Sequence, residues 1–180
     1  MKTAILVNGV PASGKSTVAR AIAAETGWPL LSLDTIKEAF FAHLGTGDRV
    51  YNRSLGKASY EAIFALIGDF PAGSNVIIDA WFGFQPLDVL TGHIARAGLS
   101  RIVEVWCHAP PGIVASRYMS RVEGRSEGHL GAGYVPELIE LAGRAKPLGP
   151  FPVIDADTTM ANMEARVTEA LRRLLSAGAN

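Results

Sequence analysis

Eight residues near the start of the chain, Gly9-Val10-Pro11-Ala12-Ser13-Gly14-Lys15-Ser16, fit the pattern G-x-x-x-x-G-K-[ST]. These residue types at this spacing suit one task, the holding of a polyphosphate. Glycines let the backbone curl so that successive N–H groups point inward at phosphate oxygens, and a helix starting near Lys15 adds its positive N-terminal end. Lys15 supplies a mobile cation for the outer phosphates, and the Ser16 hydroxyl is a ligand for Mg²⁺. Gly9, Pro11, Ala12, Ser13, Gly14, Lys15, Ser16 and Thr17 are therefore the expected nucleotide contacts. A glycine-rich turn that binds nothing would not need all eight positions to agree.

Further groups with chemical potential stand where apolar runs end. Asp79 closes Val76-Ile77-Ile78, a place from which a carboxylate can hold Mg²⁺ together with Ser16. Asp34 follows Leu31-Ser32-Leu33 and opens the next helical segment. Aspartate there also serves as a helix cap, but transfer of a phosphoryl group to an alcohol needs an acceptor for the hydroxyl proton, and Asp34 is placed to be it. Arg117, Arg121 and Arg125 recur at i, i+4 and i+8. A continuous helix would put them on one face, where guanidinium groups can neutralise charge on a transferred phosphoryl group. Alone they would read as a solvated basic stripe; next to a phosphate loop at least one is expected to be catalytic, Arg121 and Arg125 ahead of Arg117.

Trp81, Phe82 and Phe84 follow Asp79 directly, either walling a substrate pocket or capping the core. Arg49 and Arg53, one helical turn apart, could hold an anionic group or be surface charges. His129 falls in the predicted lid, within reach of nucleotide. His43, His93, His108 and His129 show no metal-ligand spacing.

The elements that must position these groups alternate regularly. Apolar runs at Thr3–Asn8, Pro29–Leu33, Asn75–Asp79, Arg101–Cys107 and Phe151–Ala156 read as strands. Helical patterns cover 15–26, 35–43, 51–67, 87–97, 110 to about 122, 134–144 and 161–176, and residues 123–133 read as a mobile loop. Strands alternating with helices predict a parallel five-stranded sheet with helices on both faces. There is no repeat and no interior linker, so residues 1–180 are expected to form one domain with a lid over about 117–134.

Composition narrows the partners. Lys plus Arg and Asp plus Glu number seventeen each, which provides no global field for a polyanion and disfavours nucleic acid. No apolar run approaches the roughly 18 residues that cross a bilayer. The single cysteine, Cys107, forbids an intrachain disulfide and suits a reducing, cytoplasmic setting. Oligomeric state is not encoded in any feature of the sequence.

Val7-Asn8-Gly9 leading into the phosphate loop, Leu31-Ser32-Leu33-Asp34, Val76-Ile77-Ile78-Asp79, the arginine-spaced lid and Ala156-Asp157-Thr158-Thr159 together resemble the small P-loop kinases. That group includes chloramphenicol phosphotransferase, gluconate kinase, the kinase domain of polynucleotide kinase and the zeta toxins. The resemblance spans nearly the whole chain. It implies a three-layer P-loop fold, ATP with Mg²⁺, and a small-molecule hydroxyl as acceptor. It makes Lys15, Asp34, Arg121 and Arg125 catalytic, Ser16 and Asp79 metal-binding, and Arg117, Asp157 and Thr158 neighbours of the nucleotide. Two stretches depart from the pattern. Leu87-Asp88-Val89-Leu90 stands where many relatives carry a basic residue, and Arg125-Ser126-Glu127-Gly128-His129 stands where they often have a histidine-proline pair.

Two alternatives stay open at this stage. One is a nucleoside, nucleotide or polynucleotide kinase. The other is a nucleotide-dependent switch without a small acceptor, although the chain has neither an Asn-Lys-x-Asp nor a Leu-Ser-Gly-Gly motif.

Overall fold

The run Ala4-Ile5-Leu6-Val7 has no solvent exposure, so the strand that carries it, β1 (Lys2–Asn8), is covered on both faces. Such a strand belongs in the middle of a parallel sheet flanked by helices. The computed structural model describes residues 1–177 and places β1 at that centre. The order is β2-β3-β1-β4-β5, with β2 (Leu30–Ser32), β3 (Asn75–Ala80), β4 (Leu99–His108) and β5 (Val153–Asp157), and every pairing is parallel.

Side chains alternate between the faces. Ile5, Val7, Ile77, Val103 and Val105 pack against α1 (Lys15–Thr26) and α7 (Met163–Ala177). Ala4, Leu6, Val76 and Ile78 pack against α3 (Arg49–Asp69) and α4 (Leu87–Arg96). A smaller cluster of Val10, Val114, Tyr118 and Leu138 joins α5 (Pro111–Met119) to α6 (Val135–Arg144) beneath the lid. Truncating a fully buried core residue such as Leu6 to alanine removes about 2–5 kcal/mol.

Register sets the site. Val7 lies opposite Asp79, and Asp79 opposite Ser32, so β1, β3 and β2 end side by side. Three carboxyl ends on one edge form the crevice where open parallel sheets bind ligands. The phosphate loop, Asp79 and the start of α2 (Leu33–Leu44) share that edge.

Three elements differ from the sequence reading. Ser32 occupies the N-cap of α2, and Asp34 lies in its first turn. α3 is longer at both ends, starting at Arg49 behind the Asp48 side chain, which accepts from Tyr51 N. α5 stops at Met119, so Arg117, Arg121 and Arg125 do not form one helical stripe. Past Ser120 the chain turns, with a 3₁₀ turn at Val122–Gly124, because residues 125–130 dock onto α2. No described helix is long and apolar enough to cross a membrane.

Candidate active site

The phosphate loop joins the end of β1 to α1. Gly14 takes φ 94° at the N-cap of α1, and Ala12 takes φ 63°, a left-handed setting that is strained for a residue with a side chain. Alternating backbone of this kind turns N–H groups into one concavity. Gly9 lies so close to the Cys107 carbonyl and the Ser13 side chain that no Cβ fits there.

Two polar knots, one buried and one half-buried, hold the loop. Asn8 Nδ2 donates to Glu104 Oε1 at 2.7 Å, while Asn8 Oδ1 accepts from Phe82 N at 3.1 Å. Glu104, fully buried, also accepts from Leu148 N at 2.9 Å. Burial raises its carboxyl above the ordinary glutamate value, and the bonds from Asn8 and Leu148 oppose that. One asparagine thus ties β1, β4 and the chain after β3 together where the loop begins. On the other flank, Thr158 Oγ1 donates to Ser13 O at 2.7 Å and accepts from Arg117 Nη1 at 2.8 Å. Arg117 Nη2 also donates to Thr158 O at 3.0 Å.

A cavity of about 540 Å³ opens in front of the loop. Pro11, Ala12, Lys15, Ser16, Asp34, Asp79, Arg121 and Arg125 all line it. Arg117, Asp157 and Thr158 do not; they group behind Gly14, where the Thr158 side chain packs against the loop. Gly9, Ser13 and Gly14 shape the loop, and Thr17 points to solvent from the first turn of α1. Of the aromatics, Trp81 and Phe84 wall the cavity and Phe82 is core.

Asp79 is nearly buried and its Oδ1 has no hydrogen-bond partner. Burial raises its carboxyl above the usual aspartate value, and the Lys15 charge and Ser16 hydroxyl pull the other way. An unpartnered buried carboxylate oxygen beside a hydroxyl is a donor set that suits a hard divalent cation. Ser16 and Asp79 therefore fit Mg²⁺.

The lid closes the opposite side. Arg125 Nη2 lies 4.0 Å from Asp34 Oδ2 and 3.0 Å from His129 Nδ1, with its guanidinium 5.3 Å over the Tyr118 ring. Because arginine only donates, His129 Nδ1 accepts, and Nε2–H donates to Glu38 at 2.9 Å. Burial, aided by Arg125, keeps the imidazole below its ordinary pKa, which favours this neutral form. Phe41 packs against Gly128 and meets the His129 ring edge-on at 5.7 Å. The segment read as a mobile loop is thus docked on α2, and His129 faces α2 and the cavity.

Sequence reasoning missed several participants. Asn8 and Glu104 were visible as polar residues interrupting apolar strands. Lys37 and Glu38 were visible as the positions one turn beyond Asp34. Tyr118 and Arg144 carried no local signal.

This chain belongs to the AAA_33 family, described as an AAA domain, which it matches over residues 5–132. Its fold is that of the small P-loop kinases. A crystal structure of a presumed kinase from Chloroflexus aurantiacus superposes with TM-score 0.75 at 26% identity, covering 96% of this chain and 97% of that one. A gluconokinase from Sinorhizobium meliloti superposes with TM-score 0.64 at 17% identity, covering 99% and 98%. An uncharacterized protein of Mycobacterium tuberculosis is 29% identical over 133 residues, 68% of this chain. The chain spans only 26% of the length of that relative.

Proposed function

We propose that this protein transfers the γ-phosphate of ATP to a hydroxyl group of a small-molecule acceptor. The observation that carries the reading is the placing of Asp34 on the same cavity wall system as Lys15, Ser16 and Asp79, with room for a small acceptor between them. A nucleotide switch has no use for a carboxylate at that point. The likeness to a presumed kinase and to a gluconokinase supports the same class.

The roles follow from position. Backbone N–H groups of residues 12–16 and the Lys15 ammonium cradle the phosphates. Ser16 and Asp79 would hold Mg²⁺, which would supply charge neutralisation to the phosphates. Arg117, Asp157 and Thr158 border the nucleotide on the far side of the loop. Asp34 takes the proton of the acceptor hydroxyl as its oxygen attacks phosphorus. Arg125, held over Tyr118 beside Asp34, and Arg121 stabilise the phosphoryl group in transit.

The test is label transfer from γ-labelled ATP with Mg²⁺ to hydroxylated metabolites, sugar acids, nucleosides and antibiotics, with Asp34→Asn in parallel. Label in one acceptor class that disappears in the variant supports the reading. Equal slow hydrolysis in both proteins, with no labelled acceptor, rules it out.

A further inference from the structure

The cavity carries more positive charge than the donor side uses. Its lining includes seven lysines and arginines but four carboxylates, in a chain where the two balance overall. Lys15, Arg121 and Arg125 stand at the phosphate end, and Arg49 is matched by Glu137 at 2.7 Å. Lys37 of α2, Arg53 of α3 and Arg144 of α6 remain, and none forms an ion pair among the described residues.

Lys37 is set unlike an ordinary surface cation, whereas Arg53 and Arg144 are exposed members of the cavity lining. Lys37 is half-buried with its ammonium 5.0 Å from the centre of the Phe41 ring. Burial pulls its pKa down in spite of Asp34 and Glu38 nearby. A desolvated ammonium with no carboxylate in contact is unfavourable on its own. Arg53 lies one helical turn from Arg49 on α3 and Arg144 two turns from Glu137 on α6, the helices that the Arg49–Glu137 bridge joins. Arg53 makes one long bond, to Phe84 O at 3.4 Å, which leaves most of its donors free.

A second observation concerns the wall between them. Gly56 is buried in the interior of the 21-residue α3 and lines the cavity beside the Lys37 stem. Alanine would favour the helix at that position. A Cβ there would meet the Lys37 stem at 3.8 Å, so glycine leaves one methyl group's more room beside Lys37.

We infer that the acceptor carries an anionic group, a carboxylate or a phosphate, apart from the hydroxyl that is phosphorylated, and that Lys37, Arg53 and Arg144 hold it. This rests on the phosphotransferase reading of the same cavity. Two arginine forks match either anion by paired N–H bonds, and Lys37 adds a point charge next to Asp34. The acceptor's anionic group is then held by Arg53, Arg144 and Lys37 while its hydroxyl meets Asp34, with Lys37 between the two. A neutral polyol leaves the three cations in water and gains none of this.

The experiment pairs hydroxy acids and sugar phosphates with their neutral amides and parent sugars. Transfer from γ-labelled ATP is measured beside calorimetric binding in the presence of ADP. Wild type is compared with Lys37→Gln, Arg53→Gln, Arg144→Gln and a control outside the cavity lining, Arg173→Gln. We expect anionic members to bind and be labelled in preference to neutral ones. Each cavity substitution should raise the acceptor KM or Kd by about tenfold to a hundredfold, the range of one charge-assisted hydrogen bond, with the ATP KM unchanged. Whether carboxylates or phosphates respond identifies the anion. The inference is overturned if neutral members bind or react as well. It is equally overturned if the substitutions change nothing, or if no anion binds below about 10 mM. Acids that bind through these residues but take up no label would leave the subsite standing and remove the phosphotransferase reading instead.

Discussion

The two ends of the cavity are built in different ways. The proposed phosphate end centres on one contiguous run, residues 9–16, where the left-handed Ala12 and Gly14 shape the backbone, with Arg121 and Arg125 added from the lid. The acceptor end is assembled from side chains of α2, α3, α6 and the lid, which are far apart in sequence. Backbone geometry tolerates little change, and here it is pinned by Asn8 on one flank and Thr158 on the other. Side chains on separate helices can be exchanged one at a time.

That contrast can be broken or sharpened by experiment. The largest effect is expected from Asp34→Asn, which should lower kcat by about 10²–10⁴ and leave ATP affinity intact. Equal losses in binding and turnover would show that the two ends do not act separately. Lys15→Ala should reduce transfer by about 10²–10³ for every acceptor tested, because it removes a charge on the donor. An acceptor-dependent loss would contradict the division.

Asn8→Ala should destabilise the fold by about 1–3 kcal/mol in denaturant titration, since it leaves Glu104 buried with one partner fewer. If turnover also falls while the protein remains folded, the knot positions the loop as well as stabilising it.

The smallest effect concerns pH. His129 has its pKa lowered in the docked lid, so docking is fully supported above the ordinary imidazole value of about 6.5 and weakens as pH falls toward the lowered value. Protection factors across residues 123–131, which remove the intrinsic pH dependence of amide exchange, should therefore fall modestly between neutral and mildly acidic pH, and His129→Gln should flatten that dependence. Unchanged protection would show that the Glu38–His129–Arg125 chain does not hold the lid.

How readily each part could be read from sequence follows the same contrast. The strands were legible because parallel strands buried on both faces are written as continuous apolar runs, as in Ala4–Val7. The phosphate loop was legible because its contacts are consecutive. Asp34 and Asp79 could be found as carboxylates at strand ends, although the cap of α2 lies at Ser32. The arginine spacing misled. Arg117, Arg121 and Arg125 have helical periodicity, yet the chain turns after Met119 so that Gly128 and His129 can reach Phe41 and Glu38. That turn is set by contacts across about ninety residues of chain, which local periodicity does not record. Lys37, Arg53 and Arg144 became a group only once three helices were packed together.

Cys107, the sole cysteine, sits under the phosphate loop with its thiol fully buried and its pKa pushed up to about 12. A thiol so placed cannot meet an alkylating reagent until the central sheet parts from α1. Its labelling rate in the native state is therefore a built-in clock for that opening. Ligands that bind only the closed protein must slow the clock by the factor 1 + [L]/Kd, so nucleotide affinity can be read from one sulfur atom without any assay of turnover.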